Sequence, residues 1–108
     1  MDNNTAFSAG VRFGGLTDRT EIKILICYLL TGAKQPLTEQ QIVDTIIGQQ
    51  LVNYFELLDA LSHLTEQNLI YEVDGMYSIT DDGKEISRQL EKVLPFSVRE
   101  RAYKAVIE

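Results

Sequence analysis

The dipeptide Asp74-Gly75 lies between two short apolar segments, Leu69 to Val73 and Met76 to Ile79, in a chain whose other segments read as helices. Asp-Gly in this position favours a two-residue type I′ turn, because both central residues must take positive φ. The turn sets the strand register. It places Val73 opposite Met76, Tyr71 opposite Ser78 and Ile70 opposite Ile79, with the two isoleucines on one face, toward the core.

Ahead of the hairpin come three helix-start signals. Asp18 is positioned to accept hydrogen bonds from the orphan N–H groups of a first helix, with Glu21 in place to complete a capping box. Ile22, Leu25, Ile26, Leu29 and Leu30 follow the spacing of one buried face, and Gly32 is expected to supply the left-handed stop. Ile24 and Tyr28 fall on the opposite side. A helix that is apolar nearly all round is either central to its domain or shared with a partner. Pro36-Leu37-Thr38-Glu39-Gln40-Gln41-Ile42 opens a second helix, with Thr38 as N-cap, Gln41 completing the box, and Leu37 and Ile42 stapling the entry. Ile42 and Ile46, with Val43 beside them, form its inner face, and Gly48 stops it. Asn53 caps a third helix, with Glu56 three residues on and Val52 and Leu57 as the staple. Its expected core stripe is Tyr54, Leu57, Leu58, Leu61 and Leu64, and Asn68 takes the left-handed stop.

Beyond the hairpin, Thr80 caps a fourth helix with Asp81 and Asp82 at the positive end of its dipole. Ile86, Leu90, Val93 and Leu94 are its expected inner stripe, ended by Pro95. Ser97 and Glu100 offer a capping box for a last helix, with Val98, Ala102, Ala105 and Val106 inside. Residues 1–16 read as a flexible arm in which Phe7, Val11 and Phe13 alternate loosely. Residues 17–94 form the domain, and 95–108 are a C-terminal helix suited to dimerisation.

The expected class is α+β, mainly α: three helices, a two-stranded hairpin, then C-terminal helices, which is winged helix-turn-helix order. The run Leu64-Thr65-Glu66-Gln67-Asn68-Leu69-Ile70 resembles the L-x-x-x-G-L-[IV] junction of the MarR and PadR repressor families. Tyr77-Ser78-Ile79-Thr80-Asp81-Asp82-Gly83 resembles the Y-x-[IL]-T-x-x-G that closes their wing. Roughly residues 17 to 103 also resemble a bacterial family catalogued as a domain of unknown function and described as winged-helix. That resemblance rests on the Ile/Leu-rich first helix, the Pro-Leu-Thr turn and the Asn53-Tyr54-Phe55 opening of the third helix. Members of that family continue into a second, C-terminal region, whose regulatory or dimerising role is not carried onto these residues.

At 108 residues the chain suits one domain. It has no ~20-residue apolar run of the kind that spans a bilayer, and its first residues lack the pattern of a secretory signal. The expectation is cytoplasmic, with no membrane partner. The lone Cys27 reads as a small buried hydrophobe. One histidine and one cysteine offer no zinc-ligand spacing, and neither a phosphate loop nor a nucleophile elbow is present. No enzyme activity, cofactor or metal is expected, and His63 reads as a surface or boundary residue.

The net charge of −6 is distributed unevenly. Residues 35–83 contain no Lys or Arg and nine carboxylates: Glu39, Asp44, Glu56, Asp59, Glu66, Glu72, Asp74, Asp81 and Asp82. The flanking segments are weakly basic. In winged helices the third helix enters the major groove. The resemblance places the DNA-facing positions near Glu56, Asp59, Ser62 and His63, with Asn53 and Tyr54 at the helix opening. Two of these are acids facing a polyanion, and the short turn at Asp74 brings no cation. Positive charge is expected instead on Lys84, Arg88 and Lys92, a stripe at i, i+4 and i+8 whose alternative is a plain solvated face. Arg99, Arg101 and Lys104 partly surround the last helix, and Arg12 and Arg19 flank the arm. Two functions follow. One is a DNA-binding transcriptional regulator acting as a homodimer through Ile24, Tyr28, Val98, Ala102, Ala105 and Val106. The other is a winged-helix module that binds a protein and no DNA, as the acidic third helix and blunt wing suggest.

Overall fold

A computed structural model describes residues 18–49 and 51–107, with side-chain burial assigned through residue 105. The expected arm at 1–16, with Phe7, Val11, Phe13 and Arg12, lies outside the described residues. So does the side chain of Val106.

The elements follow in the order α1 (Arg19–Ala33), β1 (Leu37–Thr38), α2 (Glu39–Gly48), α3 (Tyr54–Glu66), β2 (Ile70–Val73), β3 (Met76–Ile79), α4 (Asp81–Leu90) and α5 (Phe96–Ile107), with a 3₁₀ turn at Glu91–Val93. The fold is α+β and mainly helical.

The expected N-caps of α1 to α4 all form. Asp18 Oδ1 accepts from the N–H groups of Thr20 and Glu21 at 2.8 and 3.1 Å. Thr38 and Gln41 make a reciprocal box at 3.0 and 2.8 Å. Asn53 Oδ1 accepts from Phe55 and Glu56 N–H at 2.9 and 3.2 Å. Each cap satisfies donors that would otherwise lack a partner at the helix start, worth about 1 kcal/mol. The stop of α1 falls two residues later than expected. Gly32 stays helical and Lys34 takes the left-handed conformation at φ 60°. At α3 the expectation holds, with Asn68 at φ 61°.

Helix α1 is central, packed against α3, α4, α5 and β3. This explains why it is apolar on nearly every side. Ile22, Leu25, Ile26 and Leu29 join Ile42, Ile46, Leu57, Leu64 and Ile70 in one core, each fully buried side chain contributing about 2 kcal/mol. Ile24 and Cys27 are buried as well, beside Leu64, Leu69 and Ile86 from α3, the hairpin base and α4.

The hairpin register is the expected one, Ile70↔Ile79 through Val73↔Met76, and Asp74 and Gly75 both have positive φ, 54° and 80°. The sheet is larger than expected. Leu37 and Thr38 pair antiparallel with Tyr77 and Met76, which gives three strands in the order β1-β3-β2. A two-residue strand has too few positions for a period-2 pattern to reveal.

Two C-terminal expectations are corrected. Of the stripe assigned to the fourth helix, Leu94 is buried and Ile86 half-buried, but Leu90 and Val93 are exposed. The helix ends at Leu90, and the 3₁₀ turn that follows has three residues per turn, which breaks the phase of the stripe. The buried face of α4 is instead Gly83 and Ser87. Helix α5 starts directly after Pro95, whose carbonyl accepts from Val98 and Arg99 N–H at 3.0 and 3.1 Å. Ser97 therefore lies inside the first turn and is not its cap.

Small residues on α4 allow a close approach at the hairpin base. A Cβ on Gly83 would lie 2.1 Å from the Leu69 carbonyl oxygen and 2.6 Å from Ile79 Cδ1. Gly83→Ala is expected to cost about 3 kcal/mol and to lower Tm by roughly 15 °C in thermal unfolding. Gly32, with open space around its α-carbon and helical backbone, provides the contrast: Gly32→Ala should stabilise by about 0.5–1 kcal/mol.

Candidate functional site

The exposed side of α3 begins at its cap. Asn53 is committed to the backbone of the first turn. Tyr54, expected in the core stripe, is 42% exposed, and Phe55 beside it is 76% exposed. Their rings meet edge to face, with centroids 5.5 Å apart and planes at 73°. The core face of α3 is Leu57, Ala60, Leu61 and Leu64, so Ala60 takes the place assigned to Tyr54. Leu58 is half-buried at the margin.

The two carboxylates on α3 are not isolated. Arg19, the first residue of α1, lies over them, its Nε 3.8 Å from Glu56 Oε1 and 3.7 Å from Asp59 Oδ2. His63 Nε2 is 3.7 Å from the other Asp59 oxygen. These separations are ion-pair distances, beyond good hydrogen bonds, and in partly exposed positions each is worth at most about 1 kcal/mol. Their main effect is on the field: two negative charges on α3 share one guanidinium. Sequence spacing carried no sign of this pairing, because the partners come from different helices and meet only when α1 packs on α3. Ser62 and Glu66 continue the exposed face, and no ion pair forms there among the described residues.

The hairpin adjoining α3 is also uncharged or acidic on its surface. Tyr71, Val73 and Met76 are exposed, as are Glu72 and Asp74. Tyr77 is half-buried, and its hydroxyl ionises above the usual tyrosine range, through burial first and then the nearby charges of Glu72 and Glu39.

The expected basic stripe does not join this surface. Lys84 and Arg88 are on α4, whereas Lys92 falls in the 3₁₀ turn. Arg88 is already bonded to Glu85. That contact, with a second from Gln89, holds the Glu85 carboxyl below its ordinary range. Helices α3 and α4 each pack on α1, with no comparable packing on each other. Of the nine residues assigned to DNA contact, six therefore lie on α3 and its cap, Lys84 and Arg88 on α4, and Lys92 in the 3₁₀ turn.

The residues expected at a dimer surface are largely buried within the single chain. Ile24, Val98 and Ala102 are 3%, 0% and 0% exposed and belong to the chain's own core. Tyr28 and Ala105 are half-buried. Helices α4 and α5 already cover the far side of α1, so these side chains leave little surface for a second copy. The large apolar side chains exposed at that end are Leu90, Val93, Phe96 and Tyr103.

A cleft of about 150 Å³ lies between α1, α4 and α5, lined by Tyr28, Leu29, Thr31, Gly32, Ser87, Glu91, Ala102 and Tyr103. Burial pushes the Tyr28 hydroxyl up, and Glu91 adds to this while Arg99 opposes it. Among the described residues no group of three His, Cys, Asp or Glu side chains is placed to hold a metal ion. No helix among them is long and apolar enough to cross a membrane.

Residues 22–108 match the model of a family described as a domain of unknown function, DUF4364. The chain belongs to that family. No curated protein matches it, and no solved structure does. The match begins inside α1 and takes in the sheet, α3 and α5, so the aromatic pair and both carboxylates are within the family's extent, whereas Arg19 precedes it.

Cys27 has a single assignable role in this family member, which is packing. Burial raises its pKa to about 11, so the reactive thiolate is scarce at neutral pH. The folded protein should resist thiol reagents at pH 8 and react once denatured. The unfolded thiol ionises near its ordinary value of 9.0 and the folded one at about 11. Stability from this group is therefore complete below pH 9 and lost as the pH rises toward 11, by on the order of 2 kcal/mol. A Cys27→Ala variant, measured over the same range, should lose that dependence.

Proposed function

We propose that this chain is a winged-helix domain that binds DNA as part of a transcriptional regulator, with α3 as recognition helix and the β2–β3 hairpin as wing. The observation that carries the reading is the element order α1-β1-α2-α3-β2-β3, in which β1 is added to the hairpin beside β3. That order leaves the first turn of α3 and the hairpin tip uncovered. The helix–hairpin and hairpin–helix junctions that resemble those of the MarR and PadR repressors are bonded to each other at Leu69 and Thr80. The reading places the protein in the cytoplasm and assigns it no catalytic step.

Arg19 answers the electrostatic objection in part. It offsets one of the two carboxylate charges on the groove-facing side of α3, although its guanidinium stays engaged with them. Assembly as a homodimer belongs to the same reading, through the exposed Leu90, Val93 and Phe96 corner rather than the buried residues of α1 and α5. Homodimers place two recognition helices on successive half-sites.

A second reading, a domain that docks a protein, is favoured by the exposed Tyr54–Phe55 pair on a surface without lysine or arginine between residues 35 and 83. Exposed aromatic anchors and charge complementarity suit a basic partner.

One substitution separates the readings. Retention of genomic DNA fragments is measured at low and physiological ionic strength for the parent chain and for Arg19→Gln. DNA binding predicts retention at low salt, weakened several-fold by the substitution, which bares Glu56 and Asp59 to the phosphates. Protein docking predicts no retention at either salt and tighter capture of a basic partner by Arg19→Gln. Absence of DNA retention at low salt, where the phosphate contribution is greatest, overturns the first reading.

A further inference from the structure

Phe55 is the most exposed large apolar side chain among the described residues, at 76%. It is in the first turn of α3, where the N-cap bonds of Asn53 hold the backbone, and the Tyr54 ring packs edge-on against it. The chain therefore presents a fixed apolar edge at the end of the helix that would enter the groove first. Asp59 and Ser62 lie one and two turns further along the same side of the helix, spaced four and seven residues from Phe55.

What this surface lacks narrows what it is able to read. The commonest specific base contact is Arg or Lys to the O6 and N7 acceptors of guanine. No lysine or arginine occurs from residue 35 to residue 83, and Arg19 is held on the carboxylates. Asn53, the side chain suited to adenine, is occupied by the backbone. The recognition surface is left with an apolar edge, the acceptors of Glu56 and Asp59, and the Ser62 hydroxyl and His63 ring, of which the hydroxyl pairs with either kind of base group and so discriminates little. In the major groove, the one base feature an apolar edge recognises is the thymine 5-methyl group.

We infer that Phe55 is the specificity-determining residue of α3 and reads the thymine 5-methyl group of a duplex DNA half-site. This rests on the DNA-binding reading of the same helix. Recognition by contact with a methyl group adds affinity by burying apolar surface and needs no cation, which suits a surface of this charge.

Uracil differs from thymine in DNA only by that methyl group, so it isolates the contact. Duplexes retained by the full chain at low salt are selected from a random pool. Each is then resynthesised with deoxyuridine in place of thymidine at single positions, and binding is followed by fluorescence anisotropy. At one or two positions the replacement should weaken binding about fourfold, the worth of one buried methyl. Phe55→Ala should bind the thymine and uracil duplexes equally, and Phe55→Leu should keep part of the difference. Phe55 is exposed, so thermal unfolding of both variants should match the parent. If the chain retains DNA but uracil replacement is neutral everywhere, or if Phe55→Ala keeps the full difference, this inference fails alone. If no duplex is retained at any salt, it falls together with the reading on which it rests.

Discussion

The Leu69 carbonyl oxygen is the point at which the second half of the fold is joined. It accepts the backbone N–H of Thr80 at 3.1 Å and is 3.0 Å from the Thr80 hydroxyl. That same hydroxyl accepts the N–H of Gly83 at 3.0 Å, which starts α4. The carbonyl also lies where a Cβ on Gly83 would be. The end of α3, the closing of the hairpin and the start of α4 thus converge on one backbone group. Asn68 supplies the reversal that brings it there, holding a left-handed conformation that few side chains tolerate. With the hairpin base held in this way, Ile70 and Ile79 meet across the strands. The open edge of β3 is then presented to β1.

A second constraint is electrostatic. The acidic middle of the chain forms α2, α3, the sheet and the first turn of α4, and the basic residues described on the flanks lie on and beside α1, later in α4, in the 3₁₀ turn and on α5. Among the described residues, folding brings one flank cation, Arg19, onto the α3 carboxylates. Lys84 and Arg88 are held on a separate helix, and Arg88 is engaged by Glu85. The surface of α3 is therefore less acidic than its composition suggests, yet it stays poor in cations.

Much of the architecture was legible locally, for a physical reason. A helix cap joins residues three apart, and a type I′ turn joins neighbours, so Thr38 with Gln41, Asn53 with Glu56 and Asp74 with Gly75 declare themselves in short windows. Where expectation failed, the deciding partner was distant. Tyr54 and Ala60 exchanged roles because the core edge falls one turn inside α3. Val93 turned outward because the helical phase changed after α4 ended, and Leu90 lies off the Gly83–Ser87 face that α4 buries. Leu37 and Thr38 became a strand only because β3 offered them an edge.

The candidate site divides along the same line. Local sequence determined that α3 exists, where it starts, and that its outer positions include Glu56, Asp59, Ser62 and His63. It also determined the chain's want of basic residues from 35 to 83, since charge is a property of composition. Tertiary packing decided the rest. It placed Arg19 over the two acids and turned Phe55 and Tyr54 to solvent. It buried Ile24, Val98 and Ala102 inside the chain and set Lys84 and Arg88 on a helix apart from α3. Each of these depends on which helix lies against α1, and contacts between helices distant in sequence arise from the joint burial of many side chains, which no short stretch of residues encodes.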